Sequence, residues 1–420
     1  MTLRLLRPLL LTLSVSLAAT ACGTRDASET TPGGSDPTGS DTSSAAADRA
    51  TRATEAASAT PRLALTYDGG VMVVDVTDGS VLLDEELPGF LRVAAAGDDR
   101  HVLVAGEGGW RALDLGSWGH DHGDHAHHYA GDARLTDVRF PAEEPGHVVS
   151  HHGHTTLFDD GTGDITVLDP HELEDGAPEV ETLTAGDAHH GVAAQLADRN
   201  LLHTVGTEEA RSGVRLVSPA GIELAATDEC PGVHGEAVAM DRAVFGCEDG
   251  VVVVDGRDMT KVQSPDGYGR VGNQAGSDVS PVVLGDYKVD ADAEIERPER
   301  VSLIDTERGS MRLVDLGTSY TFKSLGRGPD GEALVLGTDG RLHVIDPVSG
   351  RVTDRIEVVE PWREPMDWQQ ARPALHVADG TAYVTEPATD SVHVVDLDAG
   401  TVSETIDLPH TPVELVANVG

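Results

Sequence analysis

Short, nearly continuous apolar runs recur along the chain, each closed by an aspartate. They read Val71-Met-Val-Val-Asp75, Trp110-Arg-Ala-Leu-Asp114, Ile165-Thr-Val-Leu-Asp169 and Val251-Val-Val-Val-Asp255. Later copies are Val301-Ser-Leu-Ile-Asp305, Leu342-His-Val-Ile-Asp346 and Val392-His-Val-Val-Asp396, and the degenerate Val214-Arg-Leu-Val-Ser218 fills the one gap. The copies recur about every 46 residues, a period that signals a radial array of small antiparallel sheets. No amphipathic helical pattern is long enough to compete. Each unit reads as four strands with the recurring phrase third. In the third unit these are 147–151, 154–158, 165–169 and 180–183. The first unit lacks an innermost strand, and Val413-Glu-Leu-Val-Ala417 is left over at the other end. Pairing those two ends closes the ring and removes exposed sheet edges. The expectation is an all-β, eight-bladed β-propeller, or seven blades if the Val214 copy or the first unit is misread.

The first residues do not fit this pattern. Residues 1–21 carry Arg4 and Arg7, then an apolar run and small side chains ahead of Cys22, the layout of a lipoprotein signal peptide. Leu17-Ala-Ala-Thr-Ala-Cys22 resembles a bacterial lipobox, which makes Cys22 the expected lipidation site. Residues 22–60 are Thr, Ser, Gly, Ala, Asp and Pro with few large apolar side chains, and read as a disordered tether. The propeller domain is expected over 61–420. It is expected on the extracytoplasmic side of the cell membrane, held there by the lipid anchor.

With 72 acidic against 30 basic residues the formal net charge is −42. Such a surface repels phosphate, which argues against nucleic acid and anionic lipid and is compatible with a cationic ligand. Forty-seven glycines and only 4 % aromatics suit many short strands joined by turns. No nucleophile elbow, phosphate loop or His-Glu-x-x-His helix is present, so no catalytic residue is assigned.

Nineteen histidines stand out, and they cluster. His147, His190 and His234 begin the innermost strands of three consecutive units, 43 and 44 residues apart. Spacing in phase with the repeat brings three imidazoles to one channel mouth, where with one oxygen ligand they make a tetrahedral Zn(II) site. Glu236, Asp159 and Asp160 are candidates for that oxygen. Cys230 and Cys247 flank His234 and, outside the cytoplasm, are expected as a disulfide that stiffens its strand, with thiolate ligation the alternative. A second group, within Gly119-His-Asp-His-Gly-Asp-His-Ala-His-His-Tyr129, is an insertion between third and fourth strands. It offers His122, Asp124, His125 and His127 as metal ligands in a flexible loop on the opposite face. His151, His154 and His171 extend this capacity or merely turn strands.

At these residues the chain resembles the AztD-type zinc metallochaperones. The resemblance rests on the His122–His127 loop, Pro-Gly-His-Val-Val at 145–149 and Phe-Asp-Asp-Gly-Thr-Gly at 158–163. It continues in His-His-Gly-Val at 189–192, Cys-Pro-Gly-Val-His-Gly-Glu-Ala at 230–237 and Phe-Gly-Cys at 245–247. It implies a non-enzymatic, monomeric carrier that binds Zn(II) and passes it by ligand exchange to the solute-binding protein of a zinc ABC transporter. The lipobox and tether depart from a free periplasmic carrier and suit a single-membrane cell. Two rival readings stand beside it: a metal-dependent propeller hydrolase or lactonase, and an interaction scaffold whose histidines are incidental.

Overall fold

The apolar runs are buried on both faces. Along Val251–Val254, Val252 and Val254 pack toward the preceding sheet with Leu202 and Leu216, while Val251 and Val253 pack toward the following one with Val283 and Ile304. A strand sandwiched in this way needs apolar residues at every position, which is why the runs show no alternation. The computed structural model describes residues 53–123 and 125–420. The signal peptide, Cys22 and Asp124 therefore lie outside the described residues.

The described residues form eight main sheets, numbered 1 to 8 in chain order, and one smaller three-stranded sheet. Seven of the eight have four antiparallel strands. Sheet 5 has four, His234–Ala239, Arg242–Cys247, Asp249–Asp255 and Asp258–Gln263, and a short fifth, Gly269–Arg270, that pairs in parallel with the third. Sheet 1 pairs Arg62–Tyr67, Gly70–Asp75 and Val81–Glu86. Its innermost strand is Glu414–Ala417 from the far end of the chain, with Leu63 opposite Ala417 and Thr66 opposite Glu414. The leftover strand thus completes the first unit. Sheet 3 consists of Pro145–His151, His154–Asp159, Asp164–Leu168 and Val180–Thr184, within a residue or two of the expected limits. The degenerate Val214 copy lies in Arg211–Val217, the third strand of sheet 4.

Eight separate apolar clusters fill the spaces between successive sheets. Sheet 8 consists of Leu375–Ala378, Thr381–Glu386, Ser391–Asp396 and Thr401–Asp407, and the last cluster joins its Tyr383, Val392 and Val394 to Leu63, Met72 and Leu415 of sheet 1. The core is therefore a closed ring of interfaces rather than one central mass. Such a propeller-like layout leaves the innermost strands around an axis, where polar side chains can be placed without breaking the core.

Two expectations are revised near the start of the chain. Thr54–Ala56, assigned by composition to the tether, is a strand paired with the segment ending at Ala130. Pairing through backbone hydrogen bonds needs no large apolar side chain, so composition misses it. The histidine tract is likewise a hairpin, Ser117–His122 with His125–Ala130, inserted between the third strand of sheet 2 (Gly109–Asp114) and its fourth (Arg134–Pro141). Following the end of a third strand, it stands at the opposite end of the sheets from His147. No described helix is long and apolar enough to cross a membrane.

Candidate metal centre

The three in-phase histidines converge. One ring nitrogen of each of His147, His190 and His234 lies within 4.8 Å of the others. Ring centroids are 5.0 Å apart for His147–His190 and His190–His234, and 5.7 Å for His147–His234. Local irregularities aim them. The pairing register of sheet 3 shifts between Pro145 and Val148, and that of sheet 5 between His234 and Glu236. Both are bulges of the kind that redirect a side chain. Gly235 supplies the second with φ of +68°. His190 sits in the connection just ahead of its strand, Ala193–Gln195, rather than within it.

Neighbouring groups settle which nitrogen faces inward for two of the three rings. His190 Nδ1 donates to Asp160 Oδ2 at 2.5 Å, and His234 Nδ1 donates to the Gly272 carbonyl at 2.5 Å. Carbonyl and carboxylate oxygens only accept, so both Nδ1 atoms carry the hydrogen and both Nε2 lone pairs point inward. Those two Nε2 atoms are 3.1 Å apart. His147 Nε2 is buried with no hydrogen-bond partner. Burial first, then the other two imidazoles, holds His147 well below the ordinary histidine range. Burial, with His190 next, pushes His234 down to about 3. In their neutral forms the three imidazoles are a donor set for a borderline-soft divalent cation. In a tetrahedral zinc site, nitrogen ligands stand about 3.3 Å from one another.

The oxygen candidates part company. Asp160 is a partner of His190 rather than a member of the inward-facing cluster, and its Oδ1 also accepts the Gly191 N–H at 3.2 Å. A Cβ at residue 146 would lie 2.3 Å from that oxygen, so glycine there is what lets the carboxylate in. Asp159 accepts three backbone N–H groups, from Glu143, Glu144 and Gly161 at 2.9, 2.9 and 3.0 Å, and closes its loop. Glu236 lies two residues beyond His234, with a buried, unpartnered Oε1 and a carboxyl raised by burial to about 8. Cys230 and Cys247 form a disulfide, both fully buried in the apolar cluster between sheets 4 and 5.

In the hairpin, cross-strand register sets His122 opposite His125 and His120 opposite His127, placing four imidazoles on one face. Neighbouring ring centroids are 4.6 to 6.2 Å apart. Glu55, opposite Tyr129 on the added strand, reaches the same face and binds His127 Nδ1 at 2.7 Å. The sequence expectation included neither His120 nor Glu55. His120 was discoverable by alternation alone, Glu55 only from the long-range pairing. His151 and His154 close a tight turn, and His171 is the second residue of the short 3-10 segment Pro170–Asp175.

No family model matches the chain. The curated zinc chaperone AztD of Citrobacter koseri is 25 % identical over 359 residues, covering 83 % of each chain. The chain resembles the zinc chaperone AztD. The crystal structure of C. koseri AztD superposes with a TM-score of 0.75 at 24 % identity, and apo AztD with 0.74 at 23 %. Each alignment covers 86 % of this chain and 98 % of AztD. The dihydro-heme d1 dehydrogenase NirN, complexed with DHE, shares the fold more remotely, with a TM-score of 0.53 at 12 % identity over 86 % of this chain and 75 % of its own. Likeness to AztD spans nearly all the described sheets, whereas NirN speaks only to the architecture.

Proposed function

We propose that this protein is an extracytoplasmic zinc carrier built as an eight-bladed propeller, the eight main sheets being its blades. Zn(II) is its cargo, bound at the channel mouth by His147, His190 and His234 and passed by ligand exchange to the solute-binding protein of a zinc ABC transporter. Cys22 carries the lipid that keeps a monomeric carrier on the outer side of the cell membrane, near that partner. The hairpin, with His120, His122, His125, His127 and Glu55, and with Asp124 outside the described residues, is a second and more exposed Zn(II) site.

The observation that carries this reading is the pair of inward-facing Nε2 atoms of His190 and His234 at 3.1 Å, beside the unpartnered Nε2 of His147. Two neutral rings so placed bring their lone pairs together, a contact that a shared proton or a bound metal ion relieves. Similarity to a zinc chaperone supports zinc over the other divalent ions that imidazole accepts. The test is elemental analysis of residues 23–420 after zinc loading and desalting, beside the His147→Ala/His190→Ala/His234→Ala variant. Tightly held zinc absent from the variant supports the reading. Equal zinc in both sinks the triad. Transfer is tested by mixing loaded protein with the apo solute-binding protein: zinc that stays where it was loaded refutes the carrier.

A further inference from the structure

The cavity over the three imidazoles is positively charged, in a protein whose net charge is −42. Its volume is about 390 Å³, and its walls carry Arg92, Arg270 and Lys288, with no lining carboxylate among the described residues. Arg92 begins the innermost strand of sheet 2, Arg92–Ala95, near the position in its sheet that His147 occupies in the next. The cations are not placed to neutralise acids inside the cavity. Their partners lie outside it, at loose distances: Glu414 for Arg92 at 3.6 Å, Glu248 for Arg270 at 3.8 Å and Asp286 for Lys288 at 3.5 Å. Arg211 adds a fourth positive charge beside the cluster, donating to the His190 carbonyl at 3.3 Å.

Three neutral imidazoles leave a bound divalent ion with its full double charge. Surrounding that ion with guanidinium and ammonium groups is repulsive unless an anion sits among them. Of the chain's own nearby carboxylates, Asp160 is engaged by His190 and Asp159 by backbone amides, while Glu236 is unpartnered but is not among the side chains that line the cavity. A tetrahedral ion on three ligands keeps one position open. Arg and Lys around an open position suit a carboxylate, which can bind the ion through one oxygen and the cations through the other.

We infer that the mouth is a composite site, in which Arg92, Arg270 and Lys288 hold a carboxylate anion at the fourth position of a metal bound by His147, His190 and His234. The inference rests on the triad binding metal and adds what completes it. A free carboxylate or a carboxylate side chain of the protein receiving the metal satisfies the same chemistry. In the second case the cations recruit the incoming ligand, and exchange begins with the ion four-coordinate.

The experiment loads residues 23–420 with Co(II), whose visible spectrum reports coordination, and titrates acetate or a short aspartate-rich peptide. Metal content is measured in every sample. Expected is a saturable spectral change that the Arg92→Gln/Arg270→Gln/Lys288→Gln variant weakens at least tenfold. Peptide binding tighter than acetate points to a side chain as the natural ligand, and equal or weaker binding to a free anion. A spectrum indifferent to both probes, or probe affinity unchanged in the variant, overturns the inference. So does loss of the four-coordinate spectrum in Glu236→Gln, because the chain then supplies its own fourth ligand. If cobalt remains bound with the same spectrum in the triple histidine variant, the triad reading fails instead, and that result is distinct from all the others.

Discussion

His190 and His234 face each other through Nε2 atoms 3.1 Å apart, each with its Nδ1 hydrogen already committed, one to Asp160 and one to the Gly272 carbonyl. The rings cannot turn to relieve the contact without breaking those bonds. Asp160 is thus as much a part of the site as the histidines it aligns, because it fixes both the tautomer and the angle of His190. Asp160→Asn is expected to weaken zinc binding about 10- to 100-fold with little loss of fold stability. Asp159→Asn, which removes a carboxylate held by three backbone amides, should show the opposite balance. Competition titration with a zinc chelator and a thermal melt, run on both variants, separate the two roles.

Much of this was legible in the sequence because it is local. The aspartate-closed apolar runs mark third strands, and each histidine of the triad adjoins a glycine, in Gly146-His147, His190-Gly191 and His234-Gly235. What stayed hidden depends on distant pairing. Whether Asp160 binds the ion or His190 turns on how the 158–163 loop folds back over Gly146, and nothing in the loop's own residues decides that. Glu55 meets His127 across 72 positions through a strand with no apolar signature. The cations of the mouth come from separate sheets and connections, so no run of basic residues announces them.

Ring closure rests on the strand Glu414–Ala417. Leu415 is buried in the cluster that joins sheet 8 to sheet 1. Leu415→Ala is expected to destabilise by about 2–5 kcal/mol, the range for a truncated core leucine. The outward-facing Val81, 41 % exposed, should cost far less when changed to Ala. Urea denaturation of the two variants measures the difference, and equal costs would mean the closing interface contributes little.

The Cys230–Cys247 disulfide closes a loop of 17 positions around His234. Constraining the unfolded chain over a loop of that length stabilises the native state by about 3 kcal/mol. Cys230→Ser/Cys247→Ser is therefore expected to lower stability by up to that amount, with zinc affinity falling alongside as the strand carrying His234 loosens. Chemical denaturation with and without reductant checks the first part. A variant as stable as the oxidised parent would remove the bridge from the account.

His376, on the innermost strand of sheet 8, hydrogen-bonds the backbone of Ala417. Burial pushes its imidazole down to about 4. As pH falls, the unfolded chain takes up the proton near 6.5 while the folded one resists until about 4. Stability from this group is therefore complete above about pH 6.5 and declines to a plateau below about pH 4, by at most about 3 kcal/mol. His376→Gln should flatten the fall over that window. Differences between parent and variant, followed by denaturation from pH 7 to pH 4, isolate this group from the titrating carboxylates.

The hairpin offers the last test, because its geometry predicts a site independent of the channel mouth. His120, His122, His125 and His127 share one face with Glu55, and the ribbon stands at the opposite end of the sheets from His147. Such donors, closer to solvent than the triad, should bind zinc more weakly and exchange it faster. Replacing the four histidines with Ala is expected to reduce zinc from about two ions per chain to about one, the survivor being the tightly held ion. Glu55→Gln should weaken the lost site several-fold without touching the other. Stoichiometry and affinity by calorimetry decide it. If the four-histidine variant still takes up both ions, or if it loses the tight ion, the hairpin is not a separate site.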